Sequence, residues 1–348
     1  MPCEFLSRLC RVRLGVVIAL GLAVAIGTGQ AALAEEQPAP AASDALHDDR
    51  GTPIDTMSVE RVAAISTFAA DTLVALGISP VGASTFGSEP LPSYLGAPLD
   101  GASEDPLAGT PDNPLAGTRS LGQRASTNLE LLAELDPDLI VGIHRYTEPH
   151  ARQLEAIAPF YAFDVVGLED SRRAVAGIAA VLGMRAEGDA LNQAFDARLA
   201  ELGEQAPGGV SAILLAGAGE SPFAYYDHFL SAALLERLKA TNAAGPSPTP
   251  GQTIPFGYAI NLEQLLALDP DVIFLFNTGS ERAFANNPVW PYLEAVKNDR
   301  VYEVGPHWKE GGGPIARRLI LDEMAWRLYP EAFERPELPP SIASRPYP

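Results

Sequence analysis

Five histidines, His47, His144, His150, His228 and His307, are the side chains best suited to proton transfer or metal binding. No two stand at i, i+4 on one predicted helix, and no H-E-x-x-H occurs, so a zinc-hydrolase site lacks its helical pair. A site assembled from His144, His228 and His307 is open only through tertiary proximity. Serine nucleophile chemistry lacks its G-x-S-x-G turn. Gly217 and Gly219 begin a phosphate-cradling G-x-G-x-x-G, but Pro222 stands where the third glycine belongs. Carboxylates are too numerous, 44 Asp and Glu against 24 Lys and Arg, for any pair to signal acid–base work. The residue types offer no evident reaction centre.

The formal net charge of −20 over 348 residues argues against nucleic acid and against an anionic membrane surface as partners. A 47% hydrophobic content supplies a globular core, and 31 Gly with 31 Pro make the chain rich in turns. Arg8, Arg11 and Arg13 precede an apolar run over 14–27, followed by Ala32-Leu33-Ala34. This is the pattern of a cleavable signal peptide over 1–34, and the run is shorter than the ~20 residues that span a bilayer. No Cys follows the run to carry a lipid, and no Arg pair marks twin-arginine export. Cys3 and Cys10, the only cysteines, leave with the signal. The exported chain therefore has neither disulfide nor thiolate metal ligand and is held by packing alone.

Residues 35–57 read as a flexible leader. From Arg61 the pattern is strand, helix, strand: an apolar run over 62–65, a helix over 71–76 capped by Gly77, and a strand from Ile78. The stretch 86–119 is polar, with an eight-residue duplication (DPLAGT, then NPLAGT), and reads as a surface loop. A second repeat carries more weight. Residues 128–141 (NLELLAELDPDLIV) and 261–274 (NLEQLLALDPDVIF) agree at nine of fourteen positions. Each copy gives an Asn N-cap, a two-turn amphipathic helix, an Asp-Pro-Asp stop and an apolar strand. One such unit in each half predicts two similar α/β lobes with parallel sheets. Val175, Ile178, Ala179 and Leu182, then Leu191, Phe195, Leu199 and Leu202, predict a long helix between them. The expected organisation is an N-terminal lobe over 58–168, a single backbone helix over 169–206, a C-terminal lobe over 207–335 and a proline-rich tail over 336–348.

An exported, two-lobed α/β chain with one linking helix resembles the class III, helical-backbone periplasmic binding proteins that deliver ferric siderophores and cobalamin to ABC importers. The resemblance runs from about Arg61 to Phe333, through RVAAIS…LVALGISPVGAS, both NLE…DPD blocks and GGGPIARRLILDEMAWRLYP. It is nearest to the ferrichrome and hydroxamate-siderophore branch. It implies ligand contacts from Arg124, four residues before the first NLE Asn, and from Tyr146, eighteen after it. It also implies Phe256 before the second repeat and Trp308 before the last helix. A second aromatic expected two residues after Trp308 is Glu310. Glu130 and Glu263, at matching places in the two repeats, correspond to the acids with which this family docks on its permease subunits; otherwise they cap or polarise their helices.

The residue types suit that role. Aromatic walls can bury the apolar skirt of a chelate, roughly 150–250 Å² per ring, and Arg124 can donate a fork of hydrogen bonds to its oxygens. The iron arrives already coordinated, so no protein metal ligand and no cofactor is implied. Arg145 and Lys309 are candidates for added positive potential; Tyr225, Tyr226 and Asp227 are expected to be structural. With only Arg124 well placed, the expectation leans towards a neutral or weakly charged hydroxamate chelate. The expected protein is a periplasmic monomer that makes and breaks no bond. The alternatives are cobalamin or haem capture on the same fold, an exported metal-dependent hydrolase, and an adhesion or sensor module.

Overall fold

The computed structural model describes residues 46–86, 89, 91–96, 114–252, 254–276 and 282–347. The expected cleavage site near Ala34 and the first copy of the short duplication lie outside the described residues.

Two sheets organise the chain. The first is wholly parallel, in the order β3-β2-β1-β4-β5, from Val62–Ala64 (β1), Gly82–Thr85 (β2), Arg119–Gln123 (β3), Leu139–Gly142 (β4) and Phe160–Ala162 (β5). Val62 and Ala64 face one apolar cluster and Ala63 the other, so β1 is buried on both sides, as a central parallel strand must be. The second sheet comprises Ser211–Ala216 (β6), Phe223–Tyr225 (β7), Thr241–Asn242 (β8), Gly257–Ala259 (β9), Val272–Phe276 (β10), Val301–Val304 (β11) and Arg345–Pro346 (β12). Its order is β12-β11-β10-β6-β7-β9, with β8 also on β6. Only β6, β8, β10 and β11 pair in parallel; β7, β9 and β12 join antiparallel, so the second sheet is mixed where a parallel one is expected.

Helices Thr67–Ala75 (α1), Leu129–Glu134 (α2), His144–Thr147 (α3) and Ala151–Glu155 (α4) belong to the first lobe. Leu168–Val181 (α5) and Arg185–Gln205 (α6) follow, then Leu230–Arg237 (α7), Leu262–Leu268 (α8), Glu294–Lys297 (α9) and Pro314–Leu328 (α10). The long repeat does the same work twice. Asn128 accepts the amide of Leu131 at the start of α2, and Asn261 that of Gln264 at the start of α8. Asp138 accepts the amides of Glu60 and Arg61, tying β4 to the approach of β1, while Asp271 accepts the amide and hydroxyl of Ser211, tying β10 to β6. One sequence signature therefore sets the strand register of each lobe.

The connection is wider than one helix. The expected helix over 169–206 is two, because Gly183 turns the chain with a φ of +72° between α5 and α6. Helix α6 has 21 residues, ~30 Å at 1.5 Å per residue. It buries Leu191 in the first lobe's core and Phe195, Leu199 and Leu202 in the second's. Helix α10 also crosses, with Ile315, Ala316 and Leu319 in one core and Ile320, Met324 and Leu328 in the other. The tail expectation is corrected as well, and the leader expectation over its described residues, 46–57. The amide of Asp49 donates to Ala162 O and that of Met57 to Val181 O, so 46–57 is strapped to the first lobe. Ile342 is fully buried in the first core while β12 pairs on the second sheet, so the tail also bridges the lobes.

At this junction Asp71, on α1, accepts the amides of Ile315 (2.8 Å) and Ala316 (2.9 Å) at the start of α10, and the hydroxyl of Tyr94 (2.9 Å). A Cβ on Gly313 would stand 2.1 Å from the Asp71 carboxyl carbon, so only glycine permits this approach. Arg317, one turn on, donates to Ser171 Oγ (2.9 Å) and Asn192 Oδ1 (2.8 Å) on α5 and α6. His307 lies beside Tyr94, ring centroids 5.5 Å apart, and neither ring nitrogen has a hydrogen-bond partner among the described residues.

Two of these groups respond to acid in opposite senses. Burial raises Asp71 from 3.8 to about 6, against the lowering pull of the Ile315 and Ala316 amides, Tyr94 and Arg317. Its contribution to stability is thus complete below pH 3.8 and is lost as the pH rises to about 6. Burial lowers His307 from 6.5 to about 3, so its contribution is present above pH 6.5 and lost as the pH falls towards 3. Each slope is at most ~1.4 kcal/mol per pH unit. Removing one exposes the other: relative to the parent, His307→Leu is expected to gain Tm progressively from pH 7 down to pH 5 in thermal unfolding. A pH-independent difference in Tm would count against a neutral buried His307.

Candidate functional site

The carboxyl ends of the first sheet's strands point into a cleft, the usual location of ligands on open α/β sheets. Arg124 follows β3, Arg145 and Tyr146 follow β4, and Val165 follows β5; Phe86, after β2, packs behind Arg124. The opposite wall comes from the second lobe: Tyr225 at the end of β7, Phe229, Phe256 before β9, and Lys309–Gly312 after β11. The cavity between these walls is about 60 Å³, below the roughly 300–1,000 Å³ of small-ligand sites, so a bulky ligand requires the walls to part.

Arg124 is the centre of the first wall. Its guanidinium carbon stands 3.9 Å from the Tyr146 ring centroid and 4.6 Å from that of Phe86, so two aromatic faces fix it. Across the cleft it forms an ion pair with Glu310. Burial lowers its pKa to about 10, Arg145 adds to the lowering and Tyr146 opposes it; the group is cationic at neutral pH. Arg145 is tied back by Asp164 Oδ1 (2.9 Å) and Val165 O (3.1 Å), with its guanidinium 4.9 Å from the Tyr146 ring. Burial pushes the Tyr146 phenol up, but Arg124 and Arg145 together outweigh it and hold the phenol below its ordinary value. Lys309 Nζ lies 4.9 Å from the Phe86 ring, and burial, then Arg124, lower its pKa. Three cations therefore meet at the cleft, Arg124 and the two candidates for added positive potential, Arg145 and Lys309.

The second wall is aromatic. Tyr225 stacks on Phe256 (6.1 Å) and packs on Phe229 (4.3 Å) and, edge-on, on Phe276 (5.0 Å). Burial and the facing Tyr146 both raise the Tyr225 phenol. The expectation that Tyr225 is structural is half right, because the ring is only 2% exposed yet borders the cleft. Its position at a strand end was the available signal.

The other predicted residues divide sharply. Arg124, Tyr146 and Phe256 border one cleft, but Trp308 does not: it is 0% exposed, its ring lies 5.0 Å from Phe274, and its indole N–H donates to Glu323 Oε2 (3.1 Å). The polar run around it suggests a surface loop, whereas the indole turns inward under α10. Its carbonyl also accepts the Ser231 hydroxyl at 2.8 Å. Trp308 thereby anchors the loop that aims Lys309 and Glu310 into the cleft. Glu130 and Glu263 are exposed in the first turns of α2 and α8. Neither closes a capping box, since the third helical residue is Leu131 in α2, and in α8 Gln264 returns its side chain to the Asn261 amide. Among the described residues no three His, Cys, Asp or Glu side chains are grouped to hold a metal ion, so His144, His228 and His307 do not converge.

Two α/β lobes facing one another across an aromatic and cationic cleft, joined by helices at their base, define a two-lobed solute-binding protein. The chain belongs to the periplasmic binding protein family, which matches residues 62–307. It is 27% identical over 279 residues to the putative ABC transporter substrate-binding lipoprotein YhfQ of Bacillus subtilis, covering 76% of this chain and 82% of that protein. It is 24% identical over 270 residues to the Fe(3+)-citrate-binding protein YfmC of the same organism, covering 75% and 78%. Among solved structures, FhuD from Vibrio cholerae with Fe3+–Desferal shares the fold at a TM-score of 0.60 and 22% identity, over 78% of this chain and 98% of that one.

The anchoring role of Trp308 has a measurable cost. Trp308→Phe strips a donor from Glu323, whose carboxyl burial already holds above its ordinary value. The expected loss is about 1–3 kcal/mol in urea unfolding; an unchanged midpoint would remove the Trp308–Glu323 bond from the account.

Proposed function

We propose that this protein captures a ferric siderophore between its lobes outside the cytoplasm and hands it to an ABC importer, without chemistry of its own. The observation that carries this reading is the guanidinium of Arg124, held between Phe86 and Tyr146 and facing the aromatic wall of Tyr225, Phe229 and Phe256. A bulky chelate with an apolar skirt and an oxygen-rich centre needs that combination: ring faces for the skirt, fixed donors for the oxygens. The names of similar proteins, one an Fe(3+)-citrate-binding protein and one a siderophore-binding protein bound to Fe3+–Desferal, support it. The ligand-contacting set is Arg124, Tyr146 and Phe256, joined by Tyr225, Lys309 and Glu310; Trp308 leaves it. The iron is cargo, coordinated by its chelator, and no resident cofactor is needed. Export follows the signal pattern over 1–34, with cleavage near Ala34 and the mature chain acting as a monomer.

Glu130 and Glu263 are the proposed permease contacts. They are exposed, sit at equivalent positions in the two lobes and are not consumed by helix capping. Two like charges at matching sites suit a pseudo-symmetric pair of membrane subunits with complementary cations.

Calorimetric titration with ferric hydroxamates, ferric catecholates, ferric citrate, cobalamin and haem tests the ligand. Saturable binding of one ferric chelate, weakened about tenfold or more by Arg124→Ala or Tyr146→Ala, is expected. Binding of cobalamin or haem alone would keep the fold and replace the cargo, and no binding across the panel would end the siderophore reading. For docking, Glu130→Ala with Glu263→Ala is expected to leave chelate affinity unchanged while abolishing uptake in a strain relying on this protein. Normal uptake by the double variant would dismiss the two acids.

A further inference from the structure

Glu310 is the ligand-contacting residue whose negative charge the proposed role does not explain. A ligand-binding wall of this kind would gain from another ring there, yet the chain places a carboxylate opposite its principal cation. The side chains of Glu310 and Arg124 are 6% and 10% exposed. Beyond their ion pair, neither carboxylate oxygen of Glu310 and not the Arg124 Nη1 has a hydrogen-bond partner among the described residues. The two charges come from opposite lobes, and each is the other's counter-charge.

The loop carrying Glu310 is placed by packing on both sides. Upstream, Trp308 is locked to Glu323 and Ser231. Downstream, a Cβ on Gly311 would meet Ile320 at 2.2 Å and one on Gly312 would meet Val165 at 2.3 Å, so these two glycines press the loop against its surroundings. The Gly312 carbonyl accepts the Ser171 hydroxyl, which fixes the loop to α5. Glu310 therefore cannot retreat with its backbone, and an incoming ligand meets its carboxylate in the cleft.

We propose that Glu310 is a built-in counter-anion that sets the charge of the chelate this cleft accepts, by competing with the ligand's acidic oxygens for Arg124. This rests on the siderophore reading and deepens it. Arg124, Arg145 and Lys309 supply positive charge; Asp164 already neutralises Arg145, and Glu310 offsets one of the remaining two. A strongly anionic chelate must displace the Glu310 carboxylate from Arg124 and then sit beside it. A chelate bearing a cationic arm gains a partner in the same carboxylate. Like charges close together in a partly dry site are costly, so one carboxylate is enough to reverse a preference.

The test measures dissociation constants of the parent, Glu310→Gln and Lys309→Gln for two probes of opposite charge. Ferric citrate is the anionic probe, and the ferric complex of desferrioxamine B, with its free ammonium group, the cationic one. Glu310→Gln is expected to tighten ferric citrate by about tenfold or more and to weaken the desferrioxamine complex; Lys309→Gln is expected to do the reverse. Should Glu310→Gln fail to fold, Glu310→Asp, which withdraws the carboxylate by one methylene, is expected to move both constants in the same directions by less. Equal shifts for the two probes, or none, while the parent binds them, would overturn the proposal and leave the siderophore reading standing. Failure of parent and variants to bind either probe would also overturn the proposal, while the siderophore reading would stand or fall with the full panel of ferric chelates.

Discussion

The cleft exists because Asp71 sits where two lobes must meet. Its carboxylate takes up two of the amides left unbonded at the start of α10, and a helix start favours negative charge. Tyr94 and the nearby Arg317 add to that stabilisation against the cost of full burial. Because α10 belongs to both cores, this one junction fixes the loop before it, and with that loop Lys309 and Glu310. Arg317 then ties α10 to α5 and α6, so all three helices at the base are bound into one block. Opening the lobes would break charge-assisted bonds in a dry interior, where they are strongest.

Above this base the site is a problem in charge management. Three cations and a phenol share a small volume, and each perturbs the next: Arg145 lowers Arg124, Arg124 lowers Lys309, and both guanidinia depress the Tyr146 phenol. Such crowding is tolerable because Phe86 and Tyr146 offer ring faces to the cations, and because Asp164 and Glu310 supply counter-charge. The aromatic side needs no such balance. Tyr225, Phe229, Phe256 and Phe276 pack on one another and present a surface rather than isolated rings.

Trp308 and Tyr225 show where residue type misleads. A tryptophan in a polar, glycine-rich stretch reads as exposed, yet its indole is under α10 with its N–H on a buried carboxylate. A tyrosine at the end of a short strand reads as core, and its ring is almost wholly buried while still forming the cleft floor. In each case the direction of one side chain decides the role. That direction depends on packing partners some fifteen to eighty residues away, which spacing along the chain does not encode.

The sequence by itself determined the two-lobed α/β architecture, because the NLE…DPD signature acts locally: an Asn caps a helix, an Asp stops it and the next Asp aligns the strand. Arg124 and Tyr146 were legible only through the family resemblance; that both lie just beyond strand ends of one parallel sheet, where side chains converge, is the structural reason they meet. Tertiary structure alone decided the rest. It split the linking segment at Gly183, strapped residues 46–57 to the first lobe, drew the tail into the first core, made the second sheet mixed and turned Trp308 inward. It also set Glu310 against Arg124 across 186 residues of chain. The reason is physical: caps and turns are local interactions, whereas the sign and position of charge in a cleft depend on how two lobes are clasped, and that is set by buried contacts between distant segments.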